Sequence, residues 1–423
     1  MKKILLGLFC LGLVPDTMAF SVMRTPKVYH VEITNESDYD RKDEPVVITS
    51  KEINRIKWID VNVRVTDNGA PVQYQLDDMD GDLQNDELFF VTDIKAHSRK
   101  VIDVEFCGEQ DTTKWTDRIY TALQFRDKKD KFPDLLRVEA KGSTNLFNDI
   151  YMHGVTIESE LVGYRIYFDE RQNIDLYGKK YRRIELPETQ FYTTAEQLKA
   201  GYGVDVLWAG KAMGCGSLKR YGADNVANWT DVGIRGQRVV TTGPLRTVIE
   251  VYDIGREMFG RSGSFFEETT RQYYTLVAGH RDLQVDVNTD RGYHTYCTGV
   301  QKVGVTAEDS VRRGHKSEGW IRDGIAASWG CDYPDMGKKH IWAPEAIGMA
   351  VYVPQMYVDK SFEGELNYVY VLRPKKEKIR YYVSFCADKE ERGYHNARDW
   401  FASLDEWKQK IEHPVKIRVK KIK

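Results

Sequence analysis

Short stretches in which apolar and polar residues alternate recur from His30 to Phe385, and this is the pattern that most constrains the fold. A period of two turns successive side chains to opposite faces of an extended chain, so each stretch reads as a β-strand with one buried face. Trp58 to Val65 alternates and runs into Asp67-Asn68-Gly69, a hairpin signal. Val46 to Ile48, Leu88 to Val91 and Val101 to Phe106 extend the pattern, and together they predict a small antiparallel β-sandwich over residues 20–107. Residues 108–134 are rich in Asp, Thr and Lys with little periodicity and read as a connection. Strand signals resume at Leu135 and include Gly163 to Phe168, Arg246 to Tyr252, Gln272 to Val277, Leu283 to Val287, Gly348 to Val353, Tyr368 to Leu372 and Ile379 to Phe385. So many strands without interleaved helices exclude a parallel α/β sheet and predict a large two-sheet β-sandwich over residues 135–423. Near its end Ser403-Leu404-Asp405-Glu406 reads as a capping box before a short C-terminal helix that His413-Pro414 stops. The fold class expected is therefore mainly β.

The first 19 residues read as a secretory signal peptide: Lys2 and Lys3, an apolar run from Ile4 to Val14, and a small-residue cleavage site ending at Ala19. The run is shorter than the ~20 residues that span a bilayer, so export to the periplasm or beyond is expected, without membrane insertion. Lys plus Arg number 62 against 64 Asp plus Glu. That near-balance gives no basic face for nucleic acid. Beyond Cys10, the cysteines at 107, 215, 297, 331 and 386 are odd in number and widely spaced, which reads as buried thiols rather than a disulfide framework. Walker A, GxGxxG, HExxH and GxSxG patterns are absent from the sequence, which demotes nucleotide hydrolysis, dinucleotide redox chemistry and serine-esterase chemistry.

Two segments carry chemistry. Asp77 to Glu87 crowds carboxylates into one turn, and Asp78, Asp80, Asp82 and Asp86 are candidate ligands for a structural calcium ion. Gly81 and Glu87 fall earlier than an EF-hand requires, and an acidic hairpin turn is the plainer reading. Clustered carboxylates without a cation repel by ~1 kcal/mol per close pair even in water. No other cofactor is called for. The second segment, His153 to Lys179, gathers acids, bases and aromatics on two strands and a loop. Alternation places Arg165 and Tyr167 on one face, Tyr164 and Ile166 on the other. His153, Arg165, Tyr167, Lys179 and His294 are the candidate catalytic residues. Glu158, Glu160, Asp205, Trp208 and Trp329 are candidates for binding substrate. Any one of these has a bland alternative as a core or ion-pairing residue.

The ordered patches His153-Gly154, Glu158, Glu160, Gly163-Tyr164-Arg165-Ile166-Tyr167-Phe168-Asp169 and Ile174-Asp175-Leu176-Tyr177-Gly178-Lys179 resemble a family of secreted Bacteroidetes proteins catalogued as domain of unknown function 4861. The resemblance extends to the Gln75 to Phe90 hairpin, Gly203-Val204-Asp205-Val206-Leu207, the glycines around Cys215, Trp329-Gly330 and Gly348-Met349-Ala350. It implies that the larger unit is a galactose-mutarotase-like β-supersandwich. It also implies membership of polysaccharide-utilisation gene sets, often beside enzymes for uronate-containing glycans. An acidic oligosaccharide or polysaccharide is then the expected partner. Elimination (lyase or dehydratase chemistry) is expected ahead of hydrolysis by paired carboxylates such as Glu158 or Glu160 with Asp205, or of glycan binding alone. For elimination, Arg165 or Lys179 would neutralise the uronate carboxylate, His153 or His294 would take the C5 proton, and Tyr167 would protonate the leaving oxygen.

Overall fold

The computed structural model describes residues 27–53, 62–106, 112–127, 132–255, 258–259, 265–266, 269–290, 295–304, 317–333 and 343–422. The expected signal segment, His294 and Cys107 lie outside them.

The chain builds mainly antiparallel sheets. Where one face is covered, burial follows the alternation: Thr269–Val277 and Leu283–Thr289 bury every second residue. These two strands lie in a nine-stranded sheet running, edge to edge, Glu318–Arg322, Ile325–Asp332, Glu345–Tyr352, Lys378–Ala387, Leu283–Thr289, Thr269–Val277, Arg246–Gly255, Val232–Thr242 and Arg137–Lys141. Two five-stranded sheets face it. One holds Val204–Asp205, Ile174–Gly178, Gly163–Tyr167, Gly154–Ser159 and Ile119–Ala122 in that order. The other holds Asn225–Ala227, Lys219–Gly222, Thr295–Gln301, Asn367–Leu372 and Val358–Glu363. One apolar core spans all three sheets, with Ile157, Ile166 and Leu176 from the first small sheet, Tyr296 and Val300 from the second, and Val251, Tyr274 and Val285 from the large one. This is a supersandwich. The strand Ile119–Ala122 belongs to it, so the predicted connection over residues 108–134 contributes an element of the larger unit.

Ile325–Asp332 and Glu345–Tyr352 are buried on both faces because the C-terminal helix covers their outer side. That helix runs Ala397–Glu412 and starts earlier than the Ser403 capping box predicts. Asn396 is its cap, its side-chain oxygen accepting from the Asp399 N–H at 2.9 Å. Trp400 packs so closely that a Cβ at Gly348 would stand 2.7 Å from its ring. Trp329 lies in the same cluster at 2% exposure, so it packs under the helix and offers no face to a sugar, correcting the expectation from sequence.

The N-terminal unit is the expected small sandwich. A five-stranded sheet contains Lys27–Asn35, Ser98–Phe106, Val63–Asp67 and Ala70–Pro71, and it faces the three strands Arg41–Thr49, Glu87–Ile94 and Tyr74–Asp77. The Asn68-Gly69 turn adopts positive φ at both residues (49° and 82°), the geometry that Asn-Gly suits. The fifth strand comes from the far end of the chain: Lys416–Lys421 pairs antiparallel with Lys27–Asn35. The basic tail thus completes the N-terminal sheet.

Candidate active site

The first small sheet turns Tyr164, Ile166, Ile174 and Leu176 into the core and Arg165, Tyr167, Asp175 and Asp205 to its outer face. The hairpin register sets Arg165 directly opposite Asp175. Arg165 is 1% exposed. Its Nη2 donates to Asp175, to Asp205 at 3.2 Å and to the Tyr167 hydroxyl at 2.7 Å. The guanidinium also lies against the Phe191 and Tyr167 rings, 4.4 and 4.7 Å from their centroids. Burial, and then the neighbouring Asp175 charge, hold Asp205 well above the usual carboxylate range. Burial and the same carboxylates raise the Tyr167 phenol far above its ordinary value, so Tyr167 stays protonated. Tyr192, 37% exposed at the rim, is pushed up to about 12, first by burial and then by Asp205.

His153 sits beside this cluster. Met152 and His153 are consecutive non-glycine residues at positive φ (55° and 64°), a conformation that side chains with a Cβ rarely adopt and that concentrates at functional sites. Met152 is anchored in an apolar cluster with Tyr177, Leu186 and Phe191. The His153 ring stacks on Phe147, 3.8 Å between centroids and 7° between planes, and lies parallel to Tyr167 at 6.3 Å. Its Nδ1 donates to the Phe147 carbonyl at 2.5 Å, which leaves Nε2 as the basic nitrogen of a neutral ring. Burial, aided by the charges of Arg165 and Arg126, lowers its proton affinity. The ring is therefore neutral and able to take a proton at neutral pH. A cavity of about 360 Å³ opens on the Phe147 flank, lined also by Asn145, Asp169, Arg171 and Arg235.

Other sequence candidates lie elsewhere. Lys179 and Glu158 form an ion pair at 1% and 0% side-chain exposure. Lys179 Nζ also donates to the carbonyls of Ser159 and Arg183, and Glu158 accepts the N–H groups of Glu185 and Leu186. Their donors and acceptors are used up in pinning the segment that covers the sheet, so neither faces a substrate. Glu160 joins Arg118, Arg182 and the Gly279 N–H at the seam with the N-terminal sandwich. Arg165 is buried, with its Nη2 held by its own acids and Tyr167 and its guanidinium covered by the Phe191 and Tyr192 rings, which removes it as the group that grips a substrate carboxylate. Trp208 is 41% exposed, three residues beyond Asp205. Among the acids of the hairpin, Asp78, Asp80 and Asp86 each offer an oxygen within 4.8 Å of the others. Asp82 instead accepts from Gln84. Asp175, Tyr192 and Phe147 were missed as site residues. Asp175 alone left a signal, because pairing Gly163–Phe168 with Ile174–Gly178 places it across from Arg165.

No curated protein matches the sequence. Among solved structures the chain is similar to an alpha-mannosidase from Enterococcus faecalis V583 (TM-score 0.47, 8% identity, covering 93% of this chain and 46% of that one). It is likewise similar to a protein in the glycosyl hydrolase family 38 from Enterococcus faecalis (TM-score 0.48, 9% identity, 93% and 47%). The chain spans about half the length of each. The family model described as Domain of unknown function (DUF4861) matches residues 33–417, and the chain belongs to that family.

Proposed function

We infer that this protein is an exported carbohydrate-processing enzyme that acts on uronate-containing oligosaccharides by β-elimination. The observation that carries the reading is the parallel Phe147–His153–Tyr167 arrangement beside the Arg165–Asp175–Asp205 cluster, a neutral imidazole next to a protonated phenol. In the proposed step His153 Nε2 takes the C5 proton and the C4–O bond breaks. Tyr167 protonates the departing oxygen, and the C4=C5 double bond remains in the product. Arg165 is a positioning residue: it holds the phenol oxygen at 2.7 Å and stabilises the phenolate left behind. The positively charged start and apolar run of residues 1–19 support export.

Hydrolysis by paired carboxylates fits less well. Glu158 and Glu160 are engaged elsewhere. Asp175 and Asp205 converge on one guanidinium nitrogen, whereas glycosidase carboxyls stand ~5–9.5 Å apart around the scissile bond.

The test is absorbance at about 235 nm, where an unsaturated uronate absorbs, with mass spectrometry in parallel, on a panel of uronate oligosaccharides. The expected result is a rise that falls ~10²–10⁴-fold in His153→Gln while its thermal midpoint is kept. The lowered proton affinity of His153 also predicts a rate that climbs with pH below 6.5 and is level at neutral pH. Cleavage with addition of water would replace elimination by hydrolysis, and binding without any mass change would sink the enzyme reading.

A further inference from the structure

Abstracting the proton beside a carboxylate requires that the carboxylate's charge be met by a cation. Neither cation expected from the sequence is available for this: Arg165 is 1% exposed with its Nη2 committed to Asp175, Asp205 and Tyr167, and Lys179 is equally buried against Glu158 and two carbonyls. Arg126 differs from both. It is exposed, and among the described residues no acid pairs with its guanidinium. The guanidinium carbon stands 5.7 Å from the Phe132 ring centroid and 5.9 Å from that of Tyr151, and these two rings pack 4.0 Å apart. Aromatic faces hold a guanidinium in place without occupying its N–H donors.

The backbone brings this side chain to the site. The Arg126 N–H donates to the Asp149 carbonyl at 2.7 Å, and the Tyr151 N–H to the Gln124 carbonyl at 2.8 Å. The stretch carrying Arg126 is thus laced to the one that leads, two residues on, into His153. The charge of Arg126 is felt at the His153 ring.

We propose that Arg126 is the carboxylate-binding residue of this site, its planar fork taking the carboxylate of an acidic sugar whose C5 hydrogen faces His153. Two parallel N–H donors match a carboxylate in a way that a hydroxyl or a carboxyl-reduced sugar does not. This assignment rests on the acidic-glycan reading above.

The experiment is calorimetric binding of a uronate oligosaccharide and of its carboxyl-reduced counterpart to the wild type, Arg126→Ala and Arg126→Lys, all in the inactive His153→Gln background. Arg126→Ala is expected to weaken binding of the acidic ligand about tenfold to a hundredfold, Arg126→Lys to recover part of it, and the reduced ligand to bind all three alike. Thermal midpoints should coincide, since Arg126 is exposed and carries no ion pair among the described residues. Equal affinity of wild type and Arg126→Ala for the acidic ligand overturns the assignment and leaves the acidic-glycan reading standing. Equal weakening for both ligands overturns it too, since Arg126 would then not read the carboxylate. A parent protein that shows no preference for the acidic ligand sinks the underlying reading itself.

Discussion

At the residue scale, Arg165 ties the candidate site together through Asp175, Asp205 and Tyr167. Removing it in Arg165→Ala would leave Asp175 and Asp205, both buried, without a cation between them. Breaking a buried charge cluster from one side typically costs about 3–5 kcal/mol. Denaturant unfolding should show a loss of that size, whereas a loss below ~1 kcal/mol, as for a surface pair, would mean that the two acids do not depend on it. The partnership of Arg165 with Tyr167 was legible, because a period of two puts them on one face. The misassignment of Lys179 and Glu158 has a physical cause. They lie in the same run of strands, but the segment over residues 180–203 folds back over this part of the sheet and buries them. That segment has no periodicity to announce it, and a charged residue on an outward strand face looks the same in sequence whether water or chain covers it.

At the scale of elements, the acidic hairpin serves two ends that a sequence cannot separate. Its base is structural: Asp77, fully buried, and Glu87 both pair with Arg246 of the supersandwich, and Thr241 donates to Asp77 at 2.6 Å. Its tip gathers Asp78, Asp80 and Asp86, whose oxygens already accept backbone N–H groups of residues 79–83. Calcium takes 6–8 oxygens, and three carboxylates supply part of such a set. The proposal of structural calcium here is checked by thermal melts with and without millimolar calcium. The wild-type midpoint should rise with calcium, and Asp80→Asn should abolish the rise. A midpoint indifferent to calcium and to chelator would leave the tip as an acidic turn. The C-terminal helix teaches a related lesson about boundaries. Ser403-Leu404-Asp405-Glu406 has capping-box spacing inside an established helix, while the operative cap, Asn396, lies two turns earlier.

At the scale of the whole molecule, mainly-β architecture and a small sandwich ahead of a large one were legible from period and turn chemistry. The return of Lys416–Lys421 to the N-terminal sheet was not, since alternation shows that a strand exists but not which edge it joins. The two units meet at a polar seam around Asp43. Arg118 donates to Asp43 and Glu160, Arg182 reaches both, and His280 Nε2 donates to the Asp43 carbonyl at 2.9 Å while Nδ1 faces Asp282 at 3.4 Å. Burial alone would lower the proton affinity of His280. The hydrogen bond and charge of Asp282, the Asp43 carbonyl and Glu44 outweigh it and push the imidazole up to about 9. A base raised above its unfolded value near 6.5 contributes stability that is full below 6.5 and is lost as pH rises through about 9. The buried Lys219, lowered to about 8 chiefly by burial, pulls in the opposite direction over an overlapping range. The wild-type curve alone therefore does not isolate the histidine. The difference between wild type and His280→Gln does: it should be greatest near pH 6, shrink through pH 7–9, and vanish above pH 10. Limited proteolysis at the seam should follow the same course. A difference that is flat across this range would remove His280 as a proton-linked tie between the two units.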